Sequence, residues 1–430
     1  MEKLALFGGP RSVKSKDMLV PGQPSYGKDY PIIGIEEIEA VNDVLRSKRL
    51  CSLVGTRVAK FENEFAEYIG VKHAFATNTG TAGLQCAVAA AGIKPGDEVI
   101  VPAYSFIASA TCVSYNQGIP VFVDVDPKTY DLDPEKVKEA ITRKTKAIIA
   151  VHIYGQPSDM DALNEISRDH SLTLIEDAAQ AHGATFRGRK AGSMGDIAVF
   201  SFQESKNMQT GEGGMVTTNN DELALKASRL RLFGEVIVKD KPRDYISYDL
   251  GYNFRMTEIE AAIGSVQLKR LDSMNERRID NARALDRGLR KISSTFVDPP
   301  FVDPRVKHVY HMYAPKLSEE EKDLGRDILI EALRAEGVPV FAWQQIPLEN
   351  QPVFQQILPE TYKEKVRTPI ADELCKAVFH MYIHPPNGDE LMEEYLAAFA
   401  KVFENLGNLG KSASSIKLKA PKDWGVPRES

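Results

Sequence analysis

The chain has 430 residues, 43% hydrophobic and 27% charged, with a formal net charge of −6. That length predicts two or three domains with a sizeable core, and the acidic balance weighs against nucleic acid as the main partner. No basic run forms a binding tail, no stretch is long and apolar enough to span a bilayer, and the N-terminus lacks the apolar length of a signal peptide, so a cytoplasmic protein is expected.

Cys51, Cys86, Cys112 and Cys375 are scattered and form no C-x-x-C pair. This spacing argues against structural zinc or a disulfide framework, and reduced thiols are expected. No metal site is predicted.

In chain order, residues 1–34 form an N-terminal segment. Ile38, Val41, Val44 and Leu45, then Phe61, Phe65 and Tyr68, fall at helical spacing. Strands are predicted at Glu98–Val101, Val121–Val123, Ala147–Val151, Leu172–Ile175, Ile197–Phe200 and Met215–Thr218. Helices are predicted between them at Thr81–Ala91, Ile107–Asn116, Pro134–Ile141 and Met160–His170. Val- and Ile-rich strands alternating with helices indicate an α/β fold, with a mainly parallel sheet covered on both faces across residues 35–256. Residues 257–410 read as a helical bridge, Thr257 to Leu289, followed by a smaller C-terminal α/β domain. Its signals are the run around Tyr310–Leu317, the helix Leu324–Glu336, the strand Val338–Phe341 and the helix Asp389–Asn405. Residues 411–430 carry no apolar period and read as a poorly ordered tail or an arm on a partner.

Asp177 follows one predicted strand, in Ile175-Glu176-Asp177-Ala178-Ala179-Gln180-Ala181-His182-Gly183. Lys206 follows another, in Phe200-Ser201-Phe202-Gln203-Glu204-Ser205-Lys206. Ligands of open α/β sheets bind beyond the carboxyl ends of the strands, so an acid and an amine are predicted at one edge. A pyridoxal phosphate site needs that pair. The amine forms a Schiff base with the cofactor aldehyde, and the acid keeps the pyridine nitrogen protonated. A lysine must lose its proton to attack an aldehyde, and burial helps it do so.

Each residue also has a plainer reading. Lys206 alone would be a surface lysine, and Asp177 a helix N-cap. Gln180 can hydrogen-bond the cofactor's phenolic oxygen or be a polar loop residue. Thr77-Asn78-Thr79-Gly80-Thr81-Ala82-Gly83-Leu84 opens a helix whose amides suit phosphate, although many helices begin this way. Ser201 can add a hydroxyl there or be satisfied by backbone. Phe106 can stack on the pyridine, but singly it is more often a core residue. Gly211-Glu212-Gly213-Gly214 lacks the Walker spacing and precedes a strand, so it reads as a turn.

Taken together, Asn78-Thr79-Gly80-Thr81, Val101-Pro102-Ala103-Tyr104-Ser105-Phe106, Glu176 through Gly183, Phe200-Ser201-Phe202 through Lys206, Gly211-Glu212-Gly213-Gly214 and Gly251-Tyr252-Asn253-Phe254-Arg255-Met256 resemble the DegT/DnrJ/EryC1/StrS family of pyridoxal phosphate-dependent aminotransferases. The resemblance spans about residues 20 to 405. It implies a fold-type I, aspartate aminotransferase-like transferase and a homodimer with active sites at the interface. It also implies Lys206 as Schiff-base lysine, Asp177 as pyridine partner, Gln180 at the phenolic oxygen and Phe106 on the ring. Gly80, Thr81 and Ser201 would hold the phosphate. Asn253, by itself a turn asparagine, would reach the neighbouring subunit's cofactor phosphate.

The family's dehydratase branch carries histidine at the lysine position, and this chain keeps Lys206. The resemblance therefore implies amino transfer from glutamate or glutamine to a keto sugar or keto cyclitol. Gln203 stands where many nucleotide-sugar aminotransferases have histidine. Cyclitol aminotransferases and aminohydroxybenzoate synthases often have glutamine there, and Leu4-Ala5-Leu6-Phe7-Gly8-Gly9 resembles the same group. A dehydratase/aromatase of the aminohydroxybenzoate synthase type and a non-catalytic cofactor-binding regulator are the rival readings. His308, Tyr310, His311, Phe341, Trp343 and His384 are candidates for substrate contact, each more often a packing or surface residue.

Overall fold

The computed structural model describes residues 2–14, 30–238, 241–292, 296–318, 324–412 and 416. The reading of the tail after Gly410 therefore falls almost wholly outside the described residues.

Helices α1 (Ile35–Ser47) and α2 (Arg57–Ile69) precede strand β1 (His73–Thr77). Then follow α3 (Gly80–Ala90), β2 (Glu98–Pro102), α4 (Ala108–Tyr115), β3 (Ile119–Val123), α5 (Pro134–Ala140), β4 (Thr145–Val151), α6 (Met160–Asp169), β5 (Thr173–Asp177), β6 (Ile197–Ser201), β7 (Gly214–Thr218) and α7 (Asp221–Leu230). The seven strands form one sheet in the order β1-β7-β6-β5-β4-β2-β3. Only β7 runs against its neighbours, pairing antiparallel with β1 and with β6. The carboxyl ends of the other six share one edge.

The sheet is buried on both faces because its strands are apolar at consecutive positions. Val99 and Val101 enter the core layer shared with α3, α4 and α7, while Ile100 between them enters the layer shared with α2, α5 and α6. Ile149 and Ala150 divide in the same way, as the twofold period of a strand requires. β1 and α7 extend the elements predicted from sequence. His73–Thr77 is only five residues long and its alanines weaken the strand signal.

The predicted helical bridge is one long helix, α8 (Glu258–Ile292). Its first turn reaches back across the fold. The Glu258 carboxylate accepts from the amides of Thr56, Arg57 and Val58 and so caps α2, which has no side-chain cap of its own.

The smaller region contains α9 (Arg326–Ala335), α10 (Pro352–Ile357), α11 (Glu360–Lys363), α12 (Pro369–Ala377) and α13 (Asp389–Glu404). Its predicted strands shrink to two-residue pairs such as Val340–Phe341 with His380–Met381. Leu4 and Val13 pack into the core of this region with Leu333, Phe379 and Phe399. Glu336, fully buried, accepts from Ala5 N, Ser12 N and Ser12 Oγ at 2.7–3.1 Å and pairs with Lys401 Nζ at 3.0 Å. Removing one member of such a pair strands the other's charge. Lys401→Met should therefore cost about 3 kcal/mol, read as a lower melting temperature, and the segment ending at Lys14 should become an early site of protease cleavage.

Candidate active site

The sheet edge predicted to carry chemistry is assembled by close backbone approach. A Cβ on Gly80 would lie 2.7 Å from the Cβ of Ser201, and one on Gly214 would lie 2.5 Å from the Thr79 carbonyl. Only glycine at these points lets the start of α3 press onto the end of β6. Thr79 caps the helix by accepting from Ala82 N at 3.0 Å. The first amides of a helix have no partner within it, and this helix start lies against Ser201.

Asp177 ends β5 and is buried. Ser109 on α4 donates to its Oδ2 at 2.7 Å, and Ala179 N donates to its Oδ1 at 3.2 Å. Ser105 extends this chain to the loop that carries Phe106, since its Oγ lies 2.9 Å from that of Ser109. Burial raises the Asp177 pKa, and the bonds from Ser109 and Ala179 and the Lys206 charge pull against that rise. A cation seated at this carboxylate would relieve the desolvation.

Lys206 sits on a hairpin between β6 and β7. Phe202 N donates to Gly213 O at 2.8 Å, Glu204 N to Gly211 O at 3.0 Å and Thr210 N to Phe202 O at 2.9 Å. Gly211 has φ of 88° and Gly213 of 153°, so the glycine run is the predicted turn. The lysine is half-buried by the surrounding protein. Burial moves its amine down to about 8, against the pull of Asp177 and Glu212. At pH 7 this raises the neutral fraction roughly 300-fold over an ordinary lysine.

Gln180 lies in the turn after β5. Its Oε1 accepts from Tyr154 N at 2.6 Å, which leaves its amide hydrogens for another acceptor. Tyr154 also joins the two regions, because its Oη lies 2.9 Å from both Tyr104 Oη and Gln344 Oε1 and 2.7 Å from His380 Nε2. Phe106 is 51% exposed, its ring parallel to that of Trp343 with centroids 6.1 Å apart. Asn253 is exposed, and its neighbour Phe254 accepts from Asn78 N at 2.9 Å.

Among the substrate candidates only Trp343 meets a predicted cofactor residue through its ring, at Phe106. His308 stacks on Tyr310 at 3.9 Å and His384 on Tyr30 at 3.6 Å, while His311 and Phe341 are buried beside Tyr382. Sequence reasoning missed Ser109, whose signal was a hydroxyl in the small-residue run Ala108-Ser109-Ala110. It also missed Asn207, Asn275 and Arg278, which pack behind Lys206. For Asn275 and Arg278 the only trace was a polar face in the middle of α8. The described residues hold no His, Cys, Asp and Glu cluster able to bind a metal ion, and no described helix is long and apolar enough to cross a membrane.

Residues 31–399 match the DegT/DnrJ/EryC1/StrS aminotransferase family. The chain belongs to this family. It is similar to GDP-perosamine synthase of Caulobacter vibrioides, with 46% identity over 67% of this chain and 77% of that enzyme. L-glutamine:2-deoxy-scyllo-inosose aminotransferase of Micromonospora echinospora is 34% identical over 86% of this chain and 92% of that enzyme. The X-ray structure of the aminotransferase from Psychrobacter cryohalolentis superposes with a TM-score of 0.83 at 33% identity, covering 88% of this chain and 99% of that one. The protein is thus a fold-type I aminotransferase of the sugar and cyclitol group, and its family depends in general on pyridoxal phosphate.

The donor set fits that cofactor. A buried carboxylate lacking a cation, an amine of lowered basicity and a glycine-floored helix start match a ring nitrogen, an aldehyde and a phosphate. The chemistry of Lys206 should show in its pH dependence. Reductive methylation of this lysine in cofactor-free protein should rise nearly tenfold per pH unit up to about 8 and level off above it, read by peptide mass. A midpoint near that of the surface lysines would contradict the enclosure described above.

Proposed function

We propose that this aminotransferase moves an amino group from glutamate or glutamine to the ketone of a sugar or cyclitol, with pyridoxal phosphate bound at Lys206 and Asp177. The observation that carries the reading is geometric: the buried Asp177 carboxylate at the end of β5 and Lys206 on the hairpin after β6 stand at one sheet edge, within each other's field. The cofactor supplies an aldehyde that takes up an amine and a ring that draws electrons from the adjoining carbon.

The chain's own residues do the rest. Asp177 holds the protonated ring nitrogen, and Gln180 donates an amide hydrogen to the phenolic oxygen. Gly80, Thr81 and Ser201 hold the phosphate at the start of α3. Phe106 covers one ring face. Lys206 would hold or move the proton at the reacting carbon in each half of the exchange.

Gln203 gives little guidance on the acceptor. Its Oε1 accepts from Ser205 N at 2.9 Å and Ser205 Oγ at 2.6 Å, so it shapes the hairpin. The likeness to both a GDP-perosamine synthase and an inosose aminotransferase supports a polyhydroxylated ring ketone as the shared chemistry.

We further infer a homodimer with Asn253 reaching the partner's phosphate site. Val236, Val238, Tyr245, Ile246, Tyr248 and Leu250 are all at least 47% exposed just before Asn253. Large apolar side chains exposed this densely along one segment mark an interface.

Lys206→Ala should lower amino transfer by at least about 1,000-fold, and borohydride should fix the cofactor to Lys206 in the native protein but not in the variant, read by peptide mass. Full activity in the variant would sink the assignment. In Gly80→Ala the new methyl must displace Ser201, so cofactor affinity should fall at least about tenfold, measured by fluorescence titration.

A further inference from the structure

The hairpin bonds hold residues 202–213 to one another. None of them ties the hairpin to the turn that follows Asp177. Those ties come from α8. Asn275, wholly buried, donates from Nδ2 to His182 O at 2.7 Å and accepts at Oδ1 from Asn207 Nδ2 at 2.9 Å. Asn207 directly follows Lys206 and also donates to Val309 O at 2.9 Å. One turn along the helix, Arg278 donates to Asn275 Oδ1 at 3.3 Å, to Tyr30 Oη at 3.3 Å and to Asn207 O at 3.4 Å. Tyr30 Oη in turn donates to Lys206 O. The carbonyls of residues 206 and 207 are thus both held by the Tyr30–Arg278 pair.

Arg278 is only 1% exposed and pairs with no carboxylate among the described residues. Burying a guanidinium against neutral acceptors costs stability that an apolar side chain would not. A helix that needed only to pack would be served better by methionine or leucine here.

We infer that Asn275 and Arg278 are positioning residues for amino transfer: they brace the Lys206 peptide against the turn after Asp177, so that amine and carboxylate address one ligand. The inference rests on the reading of Lys206 as the cofactor's attachment point. Displacement of a reacting group by about 1 Å can cost about 100-fold in rate, and a lysine side chain on an unbraced hairpin moves more than that.

Two ligands separate this role from simple support of the fold. Pyridoxal phosphate bonds to Lys206, whereas pyridoxamine phosphate carries no aldehyde and cannot. In Arg278→Met and Asn275→Leu the rate of borohydride-trapped attachment at Lys206 should fall at least about tenfold, while the Kd for pyridoxamine phosphate changes less than about threefold. Asn275→Asp keeps the acceptor for Asn207 and Arg278 but loses the donor to His182 O, so it should recover only part of the lost rate. If Arg278→Met does not fold, the comparison of Asn275→Asp with Asn275→Leu decides. Equal losses for both ligands, or unchanged attachment in folded variants, would overturn the inference. Failure of the native protein to form any bond at Lys206 would instead overturn the proposed function.

Discussion

Two side chains of opposite charge lie within each other's field at the edge of a sheet where protein has displaced most of the water. Burial works on each in the direction that weakens its charge: it raises the carboxyl of Asp177 and lowers the amine of Lys206. Their mutual attraction opposes both shifts without cancelling either. The chain is left with an amine that loses its proton readily and a carboxylate that lacks a cation of its own. A ligand with an electrophilic carbon at one end of a ring and a basic nitrogen at the other relieves both at once.

The fold holds these groups by means that differ in kind. Asp177 is fixed by strand geometry, since β5 ends there, and by the hydroxyl of Ser109. Lys206 has no such support from the sheet, because it lies five residues beyond the end of β6. Its position depends on a glycine turn, a glutamine spent inside the hairpin and polar groups from α8. The same long helix caps α2 through Glu258 and packs into both the large-domain core and the core of the smaller region. One element thus ties the hairpin that carries Lys206 to the rest of the chain.

Much of this was legible in the amino acids. Consecutive apolar residues in Val99–Val101 and Ala147–Val151 disclosed a sheet buried on both faces, because no amphipathic alternative fits that pattern. The placing of Asp177 and Ser201 at carboxyl ends followed from where those runs stop. What sequence left dark was side-chain contact between distant elements. Asn275 and Arg278 lie about 70 residues from Lys206, and a polar face on a helix reads equally as solvent-facing or as buried and bonded. The short strands of the smaller region were overdrawn for a related reason. Apolar runs such as Val338–Phe341 are held mainly by packing there, and only two residues make ladder bonds.

Glutamine at position 203 shows where motif comparison stops being physical. Its identity sorts related enzymes, yet here its carbonyl oxygen is committed to Ser205. The side chains better placed to sense an acceptor come from the smaller region. Trp343 lies parallel to Phe106, and its amide donates to His380 Nδ1 at 3.2 Å. His380 Nδ1 also lies 3.3 Å from the Phe341 carbonyl, and its Nε2 lies 2.7 Å from Tyr154 Oη. Tyr154 Oη also lies 2.9 Å from Gln344 Oε1. Since the Tyr154 amide also holds Gln180, the tryptophan that roofs Phe106 and the glutamine beside Asp177 hang on one buried residue. A displacement of Trp343 would therefore pull on the same chain of bonds that holds Gln180, because every link between them runs through the backbone and side chain of Tyr154.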